Sequence, residues 1–342
     1  SRVAIPEELP YCFFVEGGAL AVENALKTAF DWKTRKNWLK GSKTEGSVAI
    51  HFKQAFHGRS GYTLSLTNTN DPRKYQYFPL FDWPRIINPK LYFPITEENL
   101  QETIKNEQLA LVQIEEAILS NQDKAACIII ETIQAEGGDN HFRQEFLEKL
   151  RVLADENDAF LIYDEVQSGV GLTGKFWAHE HFGENARPDI LAFGKKMQVC
   201  GILAGKKLDE IETNVFKVPS RINSTWGGNL VDMVRSAKIL EIIEEDQLCD
   251  NAARVGTYLQ DQLNKFAAKD ERVTNVRGRG LLTAFDFPTK EQRDAFVNKG
   301  MEHNVMFLGC GNQTIRFRPA LIMQKEHIDE GMDVIEKVLK DM

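Results

Sequence analysis

The sequence predicts an α/β fold: a mainly parallel sheet flanked by helices, followed by a smaller C-terminal α+β domain. Three observations lead there. Apolar runs of strand length, such as "ACIIIETI" (126–133), are rich in β-branched residues and lack polar alternation, as strands covered on both faces do. Between these runs lie segments with apolar residues at helical spacing. After residue 240 the texture changes to shorter strand-like stretches, so the expected division is 1–240 for the large domain and 241–342 for the small one.

The elements follow in order. "YCFFV" (11–15) reads as a strand, and the helical pattern after it puts Ala21, Ala25, Leu26, Ala29 and Phe30 on one face. "SVAIHF" (47–52) is a second strand. Residues 100–119 are helical, with Leu100, Ile104, Leu111, Ile114 and Ile118 inward. After the strand at 126–133 comes a helix burying Phe146, Leu147, Leu150, Leu153 and Ala154, then strands at 159–165 and 189–195. The "KILEIIEED" helix is expected to bridge the two parts. "GLLTAFDF" (280–287), "VMFLGC" (305–310) and "TIRFRPALI" (314–322) are strand-like. A last helix turns Ile328, Met332, Ile335, Val338 and Leu339 inward.

Composition narrows the function. The 342 residues are 42% hydrophobic and 27% charged, an ordinary globular balance. The net charge is −8, with no long basic block, which argues against nucleic acid as a partner. No apolar run approaches the ~20 residues that span a bilayer, so no membrane partner is expected. The opening "SRVAIPEELPY" lacks a basic region followed by an apolar one, so no leader is read there. Cys12, Cys127, Cys200, Cys249 and Cys310 form no CxxC pair, which suits free thiols in the cytoplasm.

Two motifs mislead. "GVGLTG" (169–174) satisfies the dinucleotide pattern, but Val166, Gln167 and Ser168 separate it from the strand, and no clear helix follows. A nicotinamide dehydrogenase rests on that match alone. The same residues approach a triphosphate-binding loop, but Phe176 stands where magnesium needs a hydroxyl. His179 and His181 sit badly for a shared ligand, and His51 and His57 lack partners at ligand spacing, so no metal is expected.

In open parallel sheets, ligands bind at the carboxyl ends of strands. Asp164 closes "LIYD" and Lys195 follows "LAFG", 31 residues later, one crossover away. Glu131 and Glu136 follow another strand, as do Phe56, His57 and Arg59. Gly17 and Gly18 open a helix whose amides can cradle phosphate. Each residue has a plain structural reading as well: an N-cap, a solvated strand end, a turn. Their joint appearance at successive strand ends points to a site. An aspartate, a lysine, an aromatic and a phosphate cup suit pyridoxal 5′-phosphate, with lysine as Schiff-base partner and aspartate on the ring nitrogen.

The stretches "FHGRSGYT", "DEVQSGVGLTG", "PDILAFGKK", "NSTWGGN" and "TIRFRP" resemble the class III pyridoxal-phosphate-dependent aminotransferases of fold type I, over nearly the whole chain. "FFVEGGALAVENALK", "QAEGGDNHF" and "FGKKMQVCG" look most like the subgroup that moves the ε-amino group of L-lysine to 2-oxoglutarate. The chain has Glu16-Gly17-Gly18 where the wider family has Ser-Gly-Thr/Ala, and Glu131-Thr132 where it has Glu-Pro.

The resemblance implies roles. Lys195 would form the Schiff base; Lys196, by the alternation of a continuing strand rather than by the resemblance, is expected to point the other way as a phosphate-side or structural cation. Asp164 would pair with the ring nitrogen, Gln167 with the ring hydroxyl, and Phe56 would stack on the ring. Gly17, Gly18 and, from the partner subunit of a homodimer, Thr225 would hold the phosphate. Arg59 would grip the α-carboxylate of lysine and Arg316 that of 2-oxoglutarate, with Glu136 as a gate pairing with Arg316. Relatives acting on 4-aminobutyrate or ornithine are the near alternative. Family members carry a further N-terminal segment, so the sequence is also expected to be a fragment or incomplete gene product, which leaves open a truncated paralogue without turnover.

Overall fold

The computed structural model describes residues 4–342; residues 1–3, where a leader's basic region would begin, lie outside the described residues. The first part of the chain runs β1 (Tyr11–Val15), α1 (Gly18–Leu39), β2 (Val48–Phe52), α2 (Gly61–Leu66), β3 (Arg85–Ile86), α3 (Glu97–Ser120), β4 (Ala125–Glu131), α4 (Gln144–Glu156), β5 (Phe160–Asp164), β6 (Ile190–Phe193) and β7 (Cys200–Ala204). Then come α5 (Leu230–Glu245), α6 (Leu248–Ala267), β8 (Thr274–Arg279), β9 (Leu282–Asp286), α7 (Lys290–Glu302), β10 (Leu308–Cys310), β11 (Thr314–Phe317) and α8 (Lys325–Lys340). No helix among the described residues is long and apolar enough to cross a membrane.

The larger sheet has the order β1-β7-β6-β5-β4-β2-β3. Strands β2 to β6 pair in parallel, while β7 runs antiparallel to both β6 and β1. Every residue of β4, β5 and β6 is buried, which explains their unbroken apolar sequence. Alternate side chains serve opposite faces. Ile129 and Ile162 pack with Ala25, Ala29 and Trp32 of α1. Ile128, Ile130, Leu161 and Tyr163 pack on the other side with Ile114 of α3 and Phe146 and Leu150 of α4.

The smaller sheet is antiparallel, ordered β10-β11-β9-β8. Its core joins Leu259 and Leu263 of α6, Phe285, Phe296 and, from α8, Ile335 and Val338. Residues 240 and 241 lie inside α5, which continues unbroken through them.

The "GVGLTG" loop has a packing task. It forms turns rather than opening a helix, and it meets the β8–β9 hairpin, where Leu281 N donates to Leu172 O at 2.9 Å. Gly280, at φ +54°, sits so close that a Cβ would lie 2.4 Å from the Thr173 carbonyl carbon. Gly256 of α6 abuts the same turn, and a Cβ there would fall 2.0 Å from Gly280 O. Only side-chain-free residues allow this approach. Gly256→Ala should therefore lower the unfolding free energy by about 1–3 kcal/mol, the usual cost of overpacking. Urea titration checks this; an unchanged midpoint would mean that the seam is loosely packed.

Candidate active site

The carboxyl ends of β2, β4, β5 and β6 face a cavity of about 550 Å3, closed from the other side by Arg316 of β11. Parallel register sets its floor. Glu131 ends β4 directly opposite Asp164 at the end of β5, and Asp164 in turn lies opposite Ala192 in β6. One glycine later the chain turns and presents Lys195 to the same cavity.

Both floor carboxylates are buried and both have donors. Asp164 accepts from Val166 N at 3.0 Å and from His57 Nδ1 at 2.8 Å. Burial opposes charge on His57, but the hydrogen bond and charge of Asp164, with the charge of Glu131, outweigh it and raise its pKa. Glu131 is a brace: it accepts from Phe56 N at 2.9 Å and Ala135 N at 3.1 Å, tying together two loops that wall the cavity. Burial lifts its pKa to about 7, against the charge of His57.

The two adjacent lysines part company. Lys195 is exposed to the cavity and sits in the left-handed region at φ +48°, a strained conformation for a side chain with a Cβ. Lys196 turns into a neighbouring apolar cavity, where its Nζ donates to Gln167 O at 2.5 Å. Burial, then the charges of Lys195 and Arg318, pull its pKa to about 7. Lys196 is thus a half-buried brace for the Gln167 backbone.

Arg316 is 6% exposed, and its closest partner is Asp139, not Glu136. Its Nε donates to Asp139 Oδ1 at 2.8 Å, while Nη1 stands 4.0 Å from Glu136 Oε2. The expected Glu136 pairing is therefore loose in this structure, and Glu136 instead accepts from Lys74 Nζ. Burial pushes Asp139 up to about 6, with Arg316 and Arg277 drawing it back. Arg316 Nη2 is buried with no hydrogen-bond partner among the described residues.

The remaining expected residues are placed as follows. Phe56, Gln167 and Gly18 line the cavity. Gly17 is the N-cap of α1 at φ +91°, and a Cβ there would meet nothing within 4 Å. Arg59 lies at the rim, exposed and without an ion-pair partner among the described residues. Thr225 is exposed in a turn and forms no part of the cavity wall in a single chain.

This donor set is what pyridoxal phosphate needs. An accessible lysine stands near a carboxylate whose charge a histidine supports. The N-terminus of α1 has no acidic residue in its first turn, so its free amides can meet a phosphate, and Glu16 lies just ahead of it. The cavity volume suits a cofactor with a small substrate.

Comparison with known proteins agrees. The class-III aminotransferase family model matches residues 3–339. The chain belongs to the class-III aminotransferases. It is 49% identical over 337 residues to the L-lysine-epsilon aminotransferase of Amycolatopsis lactamdurans, covering 98% of this chain and 74% of that one. A solved lysine aminotransferase from M. tuberculosis, in the internal aldimine form, matches at TM-score 0.95 and 48% identity, over 99% of this chain and 77% of that one. The mitochondrial 4-aminobutyrate aminotransferase of Sus scrofa is 34% identical over 343 residues, covering 95% of this chain and 67% of that one.

For a class-III aminotransferase, the site holds more than its motifs announce. His57 gains its carboxylate across 107 positions, so no local spacing shows it. Asp139 stands within the quoted "QAEGGDNHF", but its partner lies 177 positions away. The His57–Asp164 pair gives a pH test. The folded pKa of His57 lies above its unfolded value of 6.5, so the pair contributes stability below that pH and loses it as pH rises through the folded pKa. The gap in unfolding free energy between the native protein and His57→Gln should be larger near pH 6 than near pH 9. An equal gap at both would mean that His57 is neutral in the folded protein.

Proposed function

We propose that this aminotransferase binds pyridoxal 5′-phosphate in the 550 Å3 cavity and transfers the ε-amino group of L-lysine to 2-oxoglutarate. One observation carries the reading: Lys195, the His57–Asp164 pair and a partly unpartnered Arg316 converge on a single cavity. Identity of 49% to a lysine-epsilon aminotransferase, against 34% to a 4-aminobutyrate enzyme, favours lysine as donor. The products are the 6-semialdehyde, which cyclises to a piperideine carboxylate, and glutamate.

When bound, pyridoxal phosphate supplies an aldehyde that captures amines and a ring that accepts electrons. The protein's residues do the rest. Lys195 Nζ would be the amine that holds the aldehyde and, when free, would act as the acid and base for the proton at the reacting carbon. Asp164, oriented by Val166 N and His57, would keep the ring nitrogen protonated. Phe56 would cover the ring, Gln167 would meet its hydroxyl, and Gly17 and Gly18 would receive the phosphate at the start of α1. Arg59 at the rim suits the α-carboxylate of lysine, leaving the distal amine to reach Lys195. Arg316 suits the carboxylate of 2-oxoglutarate, because its planar fork binds two oxygens at once.

The reading includes a homodimer in the cytoplasm. Thr225 would then reach the partner's phosphate, and the exposed Trp226, Leu230, Val231 and Val234 beside it support a face covered by a second copy. The five cysteines are all free, which fits a reducing compartment.

Lys195→Ala should lose the borohydride-reducible absorbance of the bound cofactor and about 10³-fold or more of its turnover. A reducible band persisting in that variant would overturn the lysine assignment. For the donor, L-lysine should bleach the absorbance of the native enzyme in a single half-reaction. If 4-aminobutyrate or L-ornithine bleaches it and lysine does not, the substrate is theirs.

A further inference from the structure

Glu136 stands between two cavities. One is the site cavity, and the other, of about 530 Å3, is walled by Lys74, Arg293 and Asn312 among others. Its two oxygens face different cations: Oε2 lies 4.0 Å from Arg316 Nη1, and Oε1 accepts from Lys74 Nζ. Lys74 ends a short turn, Pro72–Lys74, whose start is capped by Asp71 accepting from Arg73 N at 3.2 Å. Its ammonium also lies 5.7 Å from the centre of the Phe56 ring. The lysine is thus held between Glu136 and an aromatic wall of the site.

We propose that Lys74 is a positioning residue that draws Glu136 away from Arg316, so that one glutamate alternates between two cations as the enzyme alternates between its substrates. This rests on the reading of Arg316 as the receptor for the dicarboxylate. A carboxylate leaving a buried arginine needs a new partner, or its departure is opposed by lost charge pairing. Lys74 provides that partner within reach of the same side chain. With Glu136 on Lys74, Arg316 keeps its tie to Asp139 through Nε, and its Nη2 has no hydrogen-bond partner among the described residues, so the guanidinium has donor capacity left for a carboxylate. With Glu136 back on Arg316, the head of the arginine is covered and a monocarboxylate amine is accepted without a competing cation. No other cation shares Glu136 as an ion-pair partner among the described residues.

The test is a double-mutant cycle on the holoenzyme, with glutarate binding by calorimetry and steady-state constants for both substrates. Lys74→Met keeps the stem and removes the charge. It should weaken glutarate and raise the KM for 2-oxoglutarate by about two- to fivefold, the range of a partly exposed ion pair. The KM for lysine and kcat should hold, and Lys74→Arg should restore the native values. In a Glu136→Gln background, Lys74→Met should have no effect on glutarate. An equal weakening in that background would overturn the proposal, because Lys74 would then act on the dicarboxylate directly. An unchanged glutarate affinity in Lys74→Met alone would overturn it as well. Failure of the underlying reading shows separately: Arg316→Gln would then leave glutarate affinity at the native value.

Discussion

Two carboxylates buried side by side are the constraint around which this site is built. Glu131 and Asp164 face each other across neighbouring parallel strands, in a sheet covered by helices on both faces. Removing such groups from water is costly unless donors replace it. The chain answers with four: Val166 N and His57 for Asp164, Phe56 N and Ala135 N for Glu131. The donors come from three loops, with Phe56 and His57 adjacent in one of them. Satisfying the two acids therefore fixes the segments after β2, β4 and β5 in one arrangement, and that arrangement is the cavity. The acids also divide the work. Asp164 has a histidine to support its charge, whereas Glu131, with only neutral donors and burial that lifts it to about 7, serves geometry.

The small sheet brings the last charged group to this floor, and its seating depends on close backbone approach. The β8–β9 hairpin meets the "GVGLTG" loop through Leu281 N, and α6 meets the hairpin through Gly256. Because β9 pairs with β11, with Arg316 opposite Ala284, any shift at this seam moves Arg316 relative to Lys195. Of the glycines that imitate a nucleotide-binding fingerprint, Gly174 is a spacer at this seam, since a Cβ there would lie 2.8 Å from Ala253 Cβ of α6, whereas a Cβ on Gly169 would meet Trp177.

Much of this was legible in the sequence where the signal was local. Runs such as "CIII" and "FLIY" are apolar on both faces because both faces of their strands are covered, so β4, β5 and β6 stand out. Asp164 and Lys195 stand out for the same reason, as charges that end those runs. The first of the two lysines was preferred through the family motif, and the turn at Lys195 supplies the physical distinction, since it sends Lys196 into the neighbouring cavity. What was hidden depends on distance along the chain. Strand β7 is a short run after the lysine turn, and nothing local shows that it runs antiparallel to β6 and takes β1 as its other neighbour. The partners of His57 and Arg316 are fixed only by the fold. The position of Thr225 on the outside of one chain has no counterpart in a single sequence, since its proposed role needs a second copy.

The charges around Arg316 show why one acidic partner would not serve an enzyme with two unlike substrates. A buried arginine without a counter-ion would bind any carboxylate strongly and release it slowly. Asp139, almost wholly buried, is tied to Nε and leaves Nη2 of the guanidinium without a hydrogen-bond partner among the described residues. Glu136, about one-third exposed and shared with Lys74, is the acid proposed to move. In the proposed gate, Glu136 on Arg316 would add a second carboxylate beside Asp139 on the same guanidinium, which would disfavour a dicarboxylate there. In the same reading, Glu136 held by Lys74 would leave Asp139 as the one acid in close contact with Arg316, and an incoming carboxylate would then meet the guanidinium without a competing glutamate. On the proposed reading, a fixed partner and a mobile one divide what a single acid could not do: the first would keep the arginine's affinity within bounds, and the second would decide when it is offered.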